Sequence, residues 1–406
     1  MLTLLLICAC SDPPPLPAAP PAAEPVAEHH DNGNNGNSRP EVVPFAPDQL
    51  VELPPLADLS LGLSPYPVPV PDWMVPPPVP ADNALTHAGV ALGRLLFYDP
   101  LLSGNNTQSC GSCHHQSRSF TDGRVVSVGS EGRPLSRNAM ALINLAWTAP
   151  YFWDGRAATL EALVTEPITH PDELNQAMAA LITELEGHSD YPGRFETAFP
   201  GEGITEATIS KAIAQFLRTL VSFNSRADLL NAGLIELSEL EMRGNQLMVD
   251  GLPKGAPDRV QDICDGCHTH SAGVRDGDSD MGLFTSSELK SNGLGDLGAD
   301  AGAYLLTEDE SDRGLFVVPS IRNLTVTAPY MHDGRFATLD DVVAHYDSGI
   351  VGSPVLEAPL GRDGQPVRML LDEADRAAVV AMLGVFTDEH FLTHPAFSDP
   401  FAEDAQ

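Results

Sequence analysis

Two stretches of this chain, Cys110-Gly111-Ser112-Cys113-His114 and Cys264-Asp265-Gly266-Cys267-His268, bring together side chains that can do chemistry. Two thiols three positions apart, followed at once by an imidazole, form the attachment sequence of a c-type haem. Both sulfurs bond the porphyrin vinyl groups and the histidine is pushed onto the iron. A single such motif could also be a zinc half-site or a redox dithiol beside an incidental histidine. The chain has six cysteines, of which only Cys8 and Cys10 lie outside the two motifs. A structural zinc normally takes four Cys or His ligands, so two complete motifs without spare cysteines favour two covalent haems, held by Cys110 and Cys113 and by Cys264 and Cys267, with His114 and His268 on the irons.

The elements that position these motifs repeat. Thr148-Ala149-Pro150-Tyr151-Phe152-Trp153-Asp154-Gly155-Arg156-Ala157-Ala158-Thr159-Leu160 is echoed by Thr327-Ala328-Pro329-Tyr330-Met331-His332-Asp333-Gly334-Arg335-Phe336-Ala337-Thr338-Leu339. Duplication of a cytochrome c-like haem domain accounts for both echoes and predicts an N-terminal domain over 82–235 and a C-terminal one over 236–396. Apolar spacing predicts a helix from Asp82 through Leu85, Leu92, Leu95 and Leu96 to Asp99-Pro100. A second follows Thr205-Glu206, burying Ile209, Ile213, Phe216, Leu217 and Leu220, and a third starts at Asp372-Glu373 and buries Val379, Met382, Leu383 and Phe386. Between them the chain is punctuated by glycine and proline, so the expected class is mostly α with long irregular loops.

The first ten residues form an apolar run too short to span a bilayer. They resemble the end of a lipoprotein signal peptide without its positive start, which would make Cys10 the lipidated residue. From residue 11 to 81 the proline-rich composition predicts a disordered tether. The formal charge is −34. That excludes nucleic acid as a natural partner, and it suits either solubility or attraction of a basic redox partner. No other apolar run is long enough to cross a membrane, which leaves a lipid anchor as the expected membrane contact.

From Leu92 to Phe386 the chain resembles the bacterial di-haem cytochrome c peroxidase and MauG family. The resemblance rests on Leu92-Gly93-Arg94-Leu95-Leu96-Phe97-Tyr98-Asp99, both haem motifs, Arg137-Asn138, Phe152-Trp153-Asp154-Gly155-Arg156, Pro319-Ser320-Ile321-Arg322-Asn323 and the Thr327 to Gly334 run. It implies a first haem that reacts with hydrogen peroxide and a second that relays electrons or stores oxidising equivalents, in a periplasmic or cell-envelope location. By register it places the second iron's opposite ligand at Tyr346, where peroxidases carry methionine and MauG tyrosine. A phenolate-like oxygen donates charge and favours the higher oxidation states of iron, whereas a thioether favours the ferrous state. His345 and Met331 are the alternative ligands.

The same resemblance makes Trp153 the electron relay between haems and Glu173 the acid that moves a proton between the peroxide oxygens. It also implies a calcium ion at Asn138, Thr327 and Pro329, bound largely through carbonyl oxygens and water. Two positions depart from the family. Ser130 replaces a distal histidine, so the first haem should be open, and Leu163 replaces a glutamine. The expected activity is a MauG-like oxidation of a protein or small-molecule substrate. One alternative is an ordinary peroxidase fed by a small cytochrome or cupredoxin, and the other is a non-catalytic di-haem electron carrier.

Overall fold

A computed structural model describes residues 51–71, 74–249, 264, 266–268, 283–295, 298, 300–356 and 359–402. The leader with Cys8 and Cys10, and residues 11–50 of the proline-rich stretch, lie outside the described residues. Among the described residues the fold is mostly helical. In chain order the helices are α1 (His87–Tyr98), α2 (Leu160–Thr169), α3 (Met178–Gly187), α4 (Tyr191–Ala198), α5 (Glu206–Thr219), α6 (Arg226–Asn231), α7 (Glu239–Val249), α8 (Tyr304–Thr307), α9 (Leu339–Ala344), α10 (Glu373–Gly384) and α11 (Glu389–Thr393). Two short antiparallel pairs accompany them, β1 (Ser286–Lys290) with β2 (Phe316–Val318), and β3 (Gly361–Arg362) with β4 (Gln365–Pro366). No described helix is long and apolar enough to cross a membrane.

The expected caps start two of the three helices. Thr205 Oγ1 accepts the Thr208 N–H at 3.1 Å at the head of α5, and an Asp372 carboxylate oxygen accepts the Asp375 N–H at 2.8 Å at the head of α10. The third expectation needs correction. α1 begins not at Asp82 but after Thr86, whose Oγ1 accepts the Gly89 N–H at 3.0 Å. Asn83 is drawn out of any helix by its own bonds, donating to Glu161 at 2.6 Å and accepting from Gln215 at 2.9 Å.

Each haem motif is served by its own apolar core. In the first, α1 lies across α5 and buries Leu92, Leu96, Ile209, Ile213, Phe216, Leu217 and Leu220. In the second, α7 lies across α10, with Leu247, Met248, Val379, Met382 and Leu383 buried. Both crossings are closed by a glycine. A Cβ on Gly93 would stand 1.9 Å from the Ala212 carbonyl oxygen, and one on Gly244 would stand 2.1 Å from that of Ala378.

Two expected boundaries are corrected. The tether was expected to run to residue 81, yet Tyr66 is buried, donates its N–H to the Leu85 carbonyl at 3.0 Å and lies edge-on to His87. Asn224 grips Val51 by two bonds, at 2.7 and 2.9 Å. Prolines here lengthen a folded strap instead of releasing it. The C-terminal end, expected to pack wholly with the second core, instead returns to the first, where Phe391 and Phe397 are fully buried. The Tyr98 hydroxyl donates to the Phe397 carbonyl at 2.6 Å and Arg94 Nε to the Ser398 carbonyl at 2.8 Å. Those bonds give Arg94 and Tyr98 of the Leu92 to Asp99 motif their structural role.

Overpacking a helix crossing costs about 1–3 kcal/mol. Gly93→Ala and Gly244→Ala should therefore each lower the unfolding midpoint of the holoprotein. Gly187→Ala, at a site where nothing lies within 4 Å, serves as the control. Equal midpoints for all three variants would show that the crossings tolerate separation.

Candidate functional site

Each motif lies on the wall of a cavity. The first, of about 910 Å³, is lined by Cys110, Cys113 and His114, and also by Trp153, Leu163, Pro167 and Glu173. The second, of about 190 Å³, is lined by Cys264, Cys267, His268, Met331 and Tyr346. None of these four cysteines forms a disulfide. Burial pushes the Cys110 thiol up to about 12 and the Cys113 thiol up to about 11, with neighbouring negative groups adding to it. A reactive dithiol or a zinc-ready thiolate needs the opposite shift. Protonated, paired thiols beside a histidine in an apolar cavity fit covalent attachment to a macrocycle.

The histidines are oriented for the same task. His114 Nδ1 bonds the Phe120 carbonyl at 2.5 Å, and His268 Nδ1 bonds the Phe284 carbonyl at 3.1 Å. A carbonyl on Nδ1 makes that nitrogen the protonated one and assigns Nε2 to the iron. Both carbonyls come from residues with positive φ, 61° at Phe120 and 54° at Phe284, so the local backbone is shaped around this bond. Burial also lowers the His114 pKa, against the pull of its carbonyl bond, which keeps the imidazole neutral as ligation requires.

The duplicated turns match in detail, each residue of the first copy lying 179 positions before its counterpart. Tyr151 bonds the Leu145 carbonyl at 2.9 Å and Tyr330 bonds that of Leu324 at 2.7 Å. Thr159 caps α2 and Thr338 caps α9. In this register Tyr346 matches Pro167, whose ring offers no atom to a metal. Both line their cavities, so one copy has a phenol oxygen where the other has no donor atom. Tyr346 stands on a π-helical turn, His345–Gly349, that continues α9. Burial, then Cys267 and Cys264, raise its phenol pKa well above the ordinary range. His345 does not line the cavity, and its Nε2 is engaged by the Asn292 carbonyl at 2.8 Å. Met331 does line it, and its sulfur accepts from Asn292 Nδ2 at 3.5 Å.

Trp153 lines both cavities, and its Nε1 donates to the Asn138 carbonyl at 2.9 Å. Its register counterpart His332 lies against it, ring centres 6.4 Å apart, a neighbour the sequence reading missed although the 179-residue offset points to it. Beside them Arg137 bonds Asp154 at 2.6 Å and Asp300 at 2.6 and 2.7 Å. Asn138, Thr327 and Pro329 come together on the second cavity.

Glu173 is held by the loop that carries Ser130. The Ser130 N–H and hydroxyl donate to the Glu173 carbonyl at 2.8 and 3.0 Å, and Gly129 leaves no room for a Cβ, which would meet the Asp172 carbonyl at 1.9 Å. The residue in the histidine position thus fixes the backbone of the acid. Burial raises the Glu173 pKa; His170 and Arg156 oppose that rise.

Residues 87–234 match the family model for di-haem cytochrome c peroxidase. The chain is 33% identical over 307 residues to the methylamine utilization protein MauG of Methylorubrum extorquens, covering 75% of this chain and 80% of that one. The chain belongs to the di-haem cytochrome c peroxidase family.

It is also 34% identical over 253 residues to the cytochrome c551 peroxidase of Nitrosomonas europaea, covering 62% of this chain and 70% of that protein. A crystal structure of a MauG-like protein associated with microbial copper homeostasis superposes with a TM-score of 0.69 at 35% identity, over 82% of this chain and 98% of that one. The di-haem peroxidase BthA of Burkholderia thailandensis shares the fold, with a TM-score of 0.64 at 22% identity over 85% of this chain and 96% of that one. As a member of the di-haem peroxidase family the chain is a haem-dependent oxidoreductase with two c-type haems, which the two cavities with their thiols and oriented imidazoles fit.

Because burial disfavours the charged carboxylate, Glu173 loses its proton at a higher pH than a free side chain. Were it the base toward peroxide, the reaction rate would rise as pH climbs through that raised value. Glu173→Gln should abolish this limb and slow the reaction about 10²–10⁴-fold. Stopped-flow haem absorbance across pH measures both, and a retained limb would remove Glu173 from the role.

Proposed function

We propose that the enzyme is MauG-like, reacting with hydrogen peroxide in the first cavity and sharing the oxidising equivalents with the second. The observation that carries this reading is the contrast between Pro167 and Tyr346 at one register position. The bound haems supply the redox-active irons. The chain's own residues do the rest: Glu173 carries a proton from one peroxide oxygen to the other, Pro167 and Leu163 put no side-chain donor at their positions on the first cavity, and Trp153 spans the wall between cavities. Reduction of peroxide to two waters takes up two electrons and two protons, and the electrons come from a protein or small-molecule substrate outside the cavities.

Tyr346→Phe tests the reading. It should convert the second haem from six- to five-coordinate, read as a gain of high-spin ferric signal by EPR, with two haems per chain retained. An unchanged low-spin signal would eliminate Tyr346 as the ligand.

A second reading has its own observation. Met331 presents a thioether to the second cavity, the ligand type of an ordinary peroxidase fed by a small cytochrome or cupredoxin. Under that reading Met331→Leu, not Tyr346→Phe, changes the low-spin signal, and turnover with reduced cytochrome c is fast.

Calcium enters the proposal through Asn138. Its carbonyl holds Trp153, its N–H donates to the His332 carbonyl at 2.7 Å, and its amide donates to Arg124, leaving Oδ1 to join the carbonyls of Thr327 and Pro329 on a hard cation. Chelation should then alter tryptophan fluorescence and slow the peroxide reaction, with recovery on adding calcium. Indifference to chelation in protein shown to be calcium-free would delete the ion from the site.

A further inference from the structure

Behind the second cavity lies a charge that the chemistry above leaves unused. Arg322 is 0% exposed. Its Nη1 and Nη2 donate to the two carboxylate oxygens of Asp228 at 2.8 and 2.6 Å, and the Ser225 N–H and hydroxyl add bonds to that carboxylate at 2.8 and 2.6 Å. The guanidinium carbon stands 5.2 Å from the Phe223 ring centre and 5.0 Å from that of Phe284. Taking such a pair out of water is costly enough that apolar residues of the same volume commonly serve stability as well or better. Its retention therefore asks for a role other than stability.

Three observations tie the pair to the second centre. Arg322 lines that cavity together with Cys264, Cys267, His268 and Tyr346, whereas Asp228 does not. Phe284, whose ring the guanidinium faces, supplies the carbonyl that accepts His268 Nδ1 at 3.1 Å, and Ile321, beside Arg322, donates its N–H to the same carbonyl at 3.3 Å. Finally, the register counterpart of Arg322 is Ile143, which is 3% exposed, so the first copy has an apolar side chain where the second has a buried cation.

We propose that Arg322, held by Asp228, is a positioning residue that raises the reduction potential of the second haem and leaves the first untouched. The cationic end of the pair is the end on the cavity, so the iron sees net positive charge, which favours its less positive, reduced state. The shared Phe284 carbonyl fixes the His268 ring and weakens the charge it passes to the imidazole, which acts in the same direction. Arg322 thus opposes the charge donation expected of Tyr346. The proposal rests on His268 as the second haem's ligand and not on Tyr346, so failure of the tyrosine assignment leaves it open to its own test.

Arg322→Met combined with Asp228→Leu replaces the pair by apolar side chains. In the holoprotein, haemochrome absorbance counts haems and an EPR-monitored redox titration resolves the two centres. The expected result is two haems per chain, a first haem that does not move, and a second haem shifted about tenfold toward the oxidised state, about 59 mV downward for one electron. Arg322→Lys, which keeps the charge, should hold the second potential near that of the parent protein. A second haem that does not move in the double variant, or two haems that move together, overturns the proposal. Fewer than two haems in the parent protein would refute the attachment reading and this proposal with it.

Discussion

The bond from His114 Nδ1 to the Phe120 carbonyl is the interaction the first site is built around. For the imidazole to meet a metal through Nε2, the chain must bring a carbonyl back to within hydrogen-bond reach six residues after the motif, and no helix or strand does that. Ser119 and Phe120 both take positive φ, 51° and 61°, to achieve it. Such backbone is expensive for a side chain as large as phenylalanine and persists only where packing holds it. The packing is visible: Phe120 is fully buried, its ring 6.0 Å from Phe97 on α1 and 5.7 Å from Phe391 on α11. The returning C-terminal segment is thus part of what orients His114, which explains why α11 lies in the first core.

Duplication then supplies a second site at little cost in new structure, and divergence gives it a different character. The turns, caps and glycine-closed helix crossings are the same in both copies, because backbone geometry tolerates little change. The differences fall on side chains that reach the cavities: Pro167 against Tyr346, Trp153 against His332, Ile143 against Arg322. Each changes what an iron or its neighbour experiences while leaving the scaffold alone.

How much of this was legible in the sequence follows from the same division. The haem motifs, the repeat and the helices over Glu206–Thr219 and Glu373–Gly384 could be read directly, because cysteine spacing and a 3.6-residue apolar period survive without tertiary context. Tyr346 and Glu173 could be named only through resemblance, since a lone tyrosine or glutamate carries no periodic signal. The Ser130 clamp was invisible: its work is done on backbone carbonyls of residues more than forty positions away, and the pattern Val128-Gly129-Ser130 says nothing of that partner. The folded strap at 51–71 was misread because proline content reports an extended backbone, and extended backbone can be bound as easily as free.

One feature of the electrostatics bears on whether Trp153 can carry charge. Around it run Glu166, Arg156, Asp154, Arg137 and Asp300, linked in that order by contacts of 2.6 to 3.0 Å. The signs alternate, beginning and ending with a carboxylate, so the chain of charges as a whole is negative by one. Burial would by itself raise the Asp300 carboxyl, but Arg137 and the Gly302 N–H hold it below its ordinary value, so it is ionised at neutral pH. That excess would stabilise a positive hole on the indole, and the Nε1 proton is bonded to the Asn138 carbonyl, which cannot take it up.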